Sequence, residues 1–185
     1  MIRQLKIFFF PTLLFLVHGC AGSISSIYDS SYPLSDETAK SKSAQLTVKV
    51  PQDWFVAEND ENNSVDLWLV NQDYSATLNF VPLNLDSVII KSIHGDELNS
   101  IVKFSQIFRK AQFGKTMNEF IHQEVFEMNG KKFAAYEYAD DSKRAVRVVV
   151  FRSGDKYYEL SAIPFKNQNP FELYKIQNSV LSSIN

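Results

Sequence analysis

Short alternating runs of apolar and polar residues fill most of positions 45–185, and in two places the spacing becomes helical instead. LTVKV (46–50) alternates and stops at Pro51, and PQDW (51–54) reads as a turn leading to a large aromatic. VDLWLV (65–70) and SATLNFV (75–81) predict two strands joined by a hairpin loop at Asn71–Tyr74. Alternation puts Val65, Leu67 and Leu69 on one face and Asp66, Trp68 and Val70 on the other, while Ala76, Leu78 and Phe80 share a face. EFIHQEVFEM (119–128) and KKFAAYEYA (131–139) flank Asn129-Gly130, a pair suited to a tight turn because both positions tolerate positive φ. RAVRVVVFR (144–152) is apolar on both faces in its middle, as a central strand should be. Ser153-Gly154-Asp155 then turns into KYYELSAI (156–163), so four consecutive strands form a meander.

Helical spacing marks Asp96–Gly114 and the C-terminus. In the first, Ile101, Phe104, Phe108 and Ala111 form the expected buried face, with Leu98 and Ile107 beside them. Lys103, Gln106, Arg109 and Lys110 fall mostly on the wet side, and Gly114 is the stop signal. The preceding DSVIIKSIH (86–94) fits strand or helix equally. In the terminal helix Asn169 is the cap, Pro170 the first helical residue, and Glu172 sits three after the cap. Leu173, Ile176, Val180 and Ile184 form its apolar stripe, with Leu181 alongside. Strands, a helix, more strands and a final helix predict an α+β fold: an antiparallel β-sheet packed with helices over residues 45–185.

Composition sharpens this picture. At 185 residues, with 45% apolar side chains, 15 Phe and 8 Tyr, the chain fits one domain plus an appendage. The formal charge is −2, and loss of residues 1–19 with Arg3 and Lys6 leaves 17 basic against 21 acidic side chains. That balance argues against a nucleic-acid binder, which carries a basic surplus. One cysteine, Cys20, excludes an internal disulfide and any CxxC metal or redox site.

The appendage is the N-terminus. Arg3 and Lys6 precede an apolar run from Ile7 to Val17, broken only by Pro11 and Thr12. As a helix it would span about 16 Å, against a hydrocarbon core of about 30 Å. A basic flank and a short apolar run read as a secretion signal; the alternative is a buried helix. Leu16-Val17-His18-Gly19-Cys20 resembles the lipobox of bacterial lipoproteins. Val17 matches the apolar position and Gly19 the small one, while His18 departs from the usual small or apolar residue. The resemblance implies cleavage between Gly19 and Cys20, thioether lipidation of Cys20 and acylation of its amino group. An ordinary signal with an incidental cysteine is the alternative. Two or more chains anchor a protein stably where one binds marginally. Ala21 follows the cysteine, and in enterobacteria the lack of Asp there favours the periplasmic face of the outer membrane over the inner membrane. Residues 20–44, with eight Ser among positions 21–44, read as a flexible tether, with a short helix near 35–43 as a variant.

The order of elements resembles the PsbP-like and DcrB-like domains, single α+β domains with a central antiparallel sheet between helices. The resemblance rests on VKVPQDW, NGKKFAAYEYA, VVVFRSGDKYYELSA and the helix after NPFELY, over about residues 46–184. It brings no catalytic residue with it. It implies an accessory or assembly role.

Candidate chemistry is sparse. His18 leaves with the signal, His94 stands near Asp96, and His122 and Glu124 should share a strand face but lack an obvious third metal ligand. Asp60, Glu61, Asn62 and Asn63 supply oxygens without the spacing, Gly and distal Glu of a calcium loop. No nucleophile elbow, phosphate loop or HExxH is present, so no catalytic, cofactor or metal residue is assigned. Lys131, Lys132, Lys143 and Arg144 are strand-end charges that could gather at one sheet end and meet anionic lipid. Trp54, Trp68 and Tyr74, with Tyr157 and Tyr158, are candidate anchors for a partner, core filling being the alternative for most. The expectation is a membrane-anchored envelope lipoprotein acting as a non-enzymatic accessory or binding module for another envelope component. A carrier or sensor of an apolar ligand, which needs a cavity lined by Phe and Leu, is the second reading. A hydrolase, which needs His, Glu or Asp converging in a cleft, is the third.

Overall fold

A computed structural model describes residues 28–58, 64–86, 90, 96–114, 119–166 and 168–185. The signal segment 1–19, Cys20, Asp60–Asn63, His94 and most of 86–94 lie outside them, and so do the expectations that rest on them. In chain order the elements are β1 (Leu34–Lys40), β2 (Thr47–Pro51), β3 (Trp54–Val56), β4 (Leu67–Asn71), β5 (Ala76–Leu83), α1 (Glu97–Phe113), β6 (Ile121–Met128), β7 (Lys131–Ala139), β8 (Ala145–Ser153), β9 (Lys156–Pro164) and α2 (Pro170–Ser182). The fold is α+β: a seven-stranded antiparallel sheet of order β3-β4-β5-β9-β8-β7-β6, with a separate β1–β2 pair. Two meanders, β3–β5 and β6–β9, are joined edge to edge by β5 and β9, in register from Ala76↔Pro164 to Leu83↔Tyr157. The β6–β7 turn has positive φ at both Asn129 (52°) and Gly130 (73°), the type I′ geometry that the sequence pair favours.

Alternation along the strands gives the sheet two buried faces. One carries Leu69, Leu78, Phe80, Phe133, Val149, Phe151 and Leu160 and packs under α2 and β2. Its helix supplies Leu173, Ile176, Val180 and Leu181, and Ile184 joins them from just beyond the helix end, the residues expected from sequence. The other face carries Ala134, Tyr136, Tyr138, Val146, Val148 and Val150 and packs under Ile101 and Val102 of α1. Tyr157 and Tyr158 point to opposite faces, and both are buried.

At the level of the elements the structure corrects two expectations. The first concerns the tether over 20–44: residues 28–44 belong to the folded unit, and β1 pairs antiparallel with β2. The strand is polar because it is mostly exposed, with Ala39 alone of its residues buried. Polar bonds fix this stretch where apolar burial does not. Tyr32 N donates to Ser179 Oγ at 2.9 Å, and Ser35 Oγ to Val50 O at 2.9 Å. Ser43 donates from N and Oγ to the Asp66 carboxylate at 2.8 and 2.6 Å, with Tyr158 Oη 3.2 Å from the same group.

The second correction concerns α1. Its limits are as expected, with Asp96 Oδ1 accepting from Asn99 N and Gly114 ending the helix at φ 62°. Its orientation is not. Ile101, Val102, Ser105 and Arg109 face the sheet, while Ile107 is 67% and Phe108 59% exposed. The strands beneath carry Glu159 and the Tyr136 and Tyr138 hydroxyls, and buried polar groups need partners. The helix meets that need by turning Arg109 inward, which carries Phe108 outward.

Candidate binding cleft and the buried arginines

Each face of the sheet holds one buried arginine in a polar network. Under α1, Arg109 Nε donates to Tyr136 Oη at 2.8 Å, Nη1 to Tyr138 Oη at 3.1 Å, and Nη2 to Ser161 Oγ at 2.9 Å. Nη2 also pairs with the Glu159 carboxylate, whose other oxygen accepts from Ser105. Burial disfavours the Arg109 charge, but Glu159 and the two tyrosines outweigh it and raise the guanidinium pKa. Burial raises the Tyr136 phenol pKa well above its ordinary value. This cluster is closed off from solvent and reads as structural.

Under α2 lies the second arginine, Arg147 of β8, 1% exposed. Its Nη1 donates to Gln177 Oε1 at 3.1 Å and Asn178 Oδ1 at 2.8 Å, and its Nη2 to Glu124 Oε1 at 3.3 Å. The guanidinium carbon lies 5.3 Å from the centre of the Phe126 ring and 5.4 Å from that of Tyr174. Burial lowers its pKa while Glu124 opposes the shift. Gln177 locks the group further by donating Nε2 to the carbonyls of Leu160 at 2.8 Å and Arg147 at 3.2 Å. Unlike Arg109, this network opens to solvent. A cleft of about 510 Å³ is lined by His122, Gln123, Glu124, Glu137, Ala145, Arg147, Pro170, Phe171 and Tyr174.

The cleft brings together the two residues singled out on β6. His122 sits at an irregularity in the β6–β7 register with φ 52°, and its Nδ1 lies 3.4 Å from Glu137 Oε2. Glu124 also accepts from Tyr28 Oη at 2.6 Å. The Tyr174 phenol is raised by burial and by the neighbouring Glu137 carboxylate. At the mouth, Phe171 is 53% exposed. No group of three or more His, Cys, Asp or Glu able to hold a metal occurs among the described residues. The walls therefore combine aromatic rings with carboxylates pinned by an arginine and a histidine.

A second, wider cleft of about 800 Å³ lies at the other end of β6, with Asp96, Glu97 and Glu127 facing Lys131, Lys132 and Arg152. Lys131 and Lys132 open β7, whereas Lys143 and Arg144 follow its far end. A strand of nine residues separates the two pairs by about 27 Å. The four charges do not gather at one sheet end, because a hairpin turn and its neighbour lie at opposite ends of their shared strand.

No family model matches this sequence, and no curated protein does. Among solved structures, the solution structure of cyanobacterial PsbP (CyanoP) from Synechocystis sp. PCC 6803 superposes with a TM-score of 0.56. The match covers 80% of this chain and 91% of that one, at 15% identity. This chain has a PsbP-like fold. On the PsbP-like sheet the three expected partner anchors do not form one surface. Trp54, 4% exposed, fills the core under α2, so it is no surface anchor; β3 pairs it inward against β4. Trp68 is half-buried, on the strand face opposite Leu67 and Leu69. Tyr74 is 66% exposed in the β4–β5 turn, its ring edge-on to Phe55 at 6.0 Å. The residues missed from sequence are Glu137, Arg147, Tyr174, Gln177 and Asn178. Arg147 carried a signal: a charge in the middle of a run apolar on both faces must find buried partners.

Proposed function

We propose that this protein is a non-enzymatic accessory module of a bacterial envelope, held at a membrane by lipid on Cys20. It binds another envelope protein through the cleft above Arg147. The observation that carries this reading is the Arg147 network. Its charges are satisfied by one another, and they leave an aromatic-edged opening suited to recognition. The lipobox residues and the PsbP-like fold support the anchored, accessory part of the reading. The cleft wall is mostly apolar, from Ala145, Pro170, Phe171 and Tyr174, and His122, Glu124, Glu137 and Arg147 are the few polar points that orient an occupant, the make-up of a site for an apolar side chain of a protein partner.

The hydrolase reading has one observation in its favour, the convergence of His122, Glu124 and Glu137. Against it, Glu124 is engaged by Arg147 and Tyr28, and no Ser, Thr or Cys among the described residues lines the cleft. The experiment is affinity purification from solubilised envelopes of wild type, Cys20→Ser and Phe171→Glu. Membrane retention lost in Cys20→Ser and a specific protein lost in Phe171→Glu support the proposal. Unchanged retention in Cys20→Ser sinks the lipid anchor. An activity on generic ester or peptide substrates abolished by His122→Ala would favour the hydrolase.

A further inference from the structure

The outward turn of α1 leaves an apolar surface that stays exposed among the described residues. Phe104, Ile107, Phe108 and Ala111 recur at i, i+3, i+4 and i+7, the spacing of an amphipathic stripe. Phe104 is half-buried and the other three are exposed. Lys103 and Lys110, seven residues apart, lie along the solvent side of the stripe and are exposed, and the only acidic residue of the helix, Glu97, lies in its first turn. Apolar rings beside a pair of lysines, with no nearby carboxylate on the helix, match an interfacial helix on anionic lipid.

The start of the folded unit brings this surface within reach of a membrane. Tyr28 is the first described residue, and the seven residues between it and Cys20 give eight Cα steps that reach at most about 28 Å. Tyr28 bonds to Glu124 of β6, and the adjacent Gln123 accepts from Gln106 of α1 at 3.3 Å. The tether exit and α1 therefore flank the same point of the edge strand. We propose that the Phe104–Ile107–Phe108–Ala111 face of α1 lies on the anionic lipid surface to which Cys20 tethers the chain. This rests on the lipid-anchor reading. It adds that the domain is held against the bilayer in a fixed orientation, with the α2 face and its cleft turned away from the lipid.

The test is photocrosslinking with benzoyl-phenylalanine at position 107 in the full chain, in native envelopes and after reconstitution into phosphatidylcholine vesicles with and without phosphatidylglycerol. Position 143, on the β7–β8 turn, is the control. A mass increment of one phospholipid at position 107, stronger with phosphatidylglycerol and absent at 143, is the expected result. Crosslinks to a protein, to a second copy or to nothing overturn the proposal. The intact mass of the processed chain reports acylation of Cys20 separately. Acylated Cys20 without a lipid crosslink at 107 leaves the anchor standing and removes the docking face. Unacylated Cys20 removes the anchor, and the yield at 107 on vesicles still decides the docking.

Discussion

Arg147 shows how one side chain can join a core to a surface site. Its head group is held on two sides by hydrogen bonds and on two by rings, so Arg147→Ala takes the cation from Glu124 and the guanidinium donor from Gln177 and Asn178. Removing one member of such a buried pair costs about 3–5 kcal/mol. Urea unfolding of Arg147→Ala should show that loss, and Glu124→Gln added to it should recover part. Charge also governs the response to alkali. The phenols of Tyr136, Tyr138 and Tyr174 all lie above their ordinary value of 10.0, chiefly because of burial. In the unfolded chain they ionise near pH 10, whereas in the folded chain they hold their protons. Their contribution is therefore complete below pH 10 and falls as pH rises beyond it. Melting temperature followed from pH 8 to 11 should drop at the upper end, and less steeply in Tyr136→Phe. None of these partners was legible one residue at a time. The sequence shows Arg147 and Glu159 inside apolar strands, but which groups meet them depends on helices far away in the chain.

At the scale of elements, strand and helix positions were largely legible because local patterning dictates them. Asn129-Gly130 and Gly114 mark ends through backbone geometry, and the Asn169-Pro170 pair through a side-chain cap and a fixed φ. The orientation of α1 was not legible, because an apolar stripe predicts the buried side while the decisive partner, Glu159, sits 50 residues away. The correction makes a sharp prediction. Ile101→Ala should cost about 2–5 kcal/mol, whereas Phe108→Ser should stay within about 0.5 kcal/mol of wild type. Denaturant midpoints of the two variants check it, and equal losses would mean that Phe108 is covered. Strand β1 was missed for the converse reason. Serine-rich, charged residues do not bury themselves, but they can complete a two-stranded pair whose other strand supplies Val48 and Val50 to the core.

For the whole molecule, the folded unit is larger than the sequence pattern outlines. A chain beginning at residue 45 loses β1, the Ser43 bonds to Asp66 and the Tyr32 bond to Ser179, and exposes the β2 side of the core. It should melt well below a chain beginning at residue 28, and equal melting temperatures would return residues 28–44 to the tether. The sheet separates two roles. One face buries a closed arginine network beneath a helix with an apolar outer side, and the other buries an arginine network that opens to a cleft. The α+β class and the antiparallel meander were readable because they follow from strand count and turn spacing. The cleft was not, because it assembles β6, β7, β8 and α2, elements brought together only by the completed sheet. The central claim is that this cleft holds a protein partner. Its most direct measurement is photocrosslinking with benzoyl-phenylalanine at position 171 in the envelope of the producing cell. The account predicts a discrete adduct with one envelope protein, lost when Arg147→Ala disturbs the cleft and absent from a probe at position 74. Adducts with lipid alone, or no adduct in a fully folded and anchored chain, would contradict it.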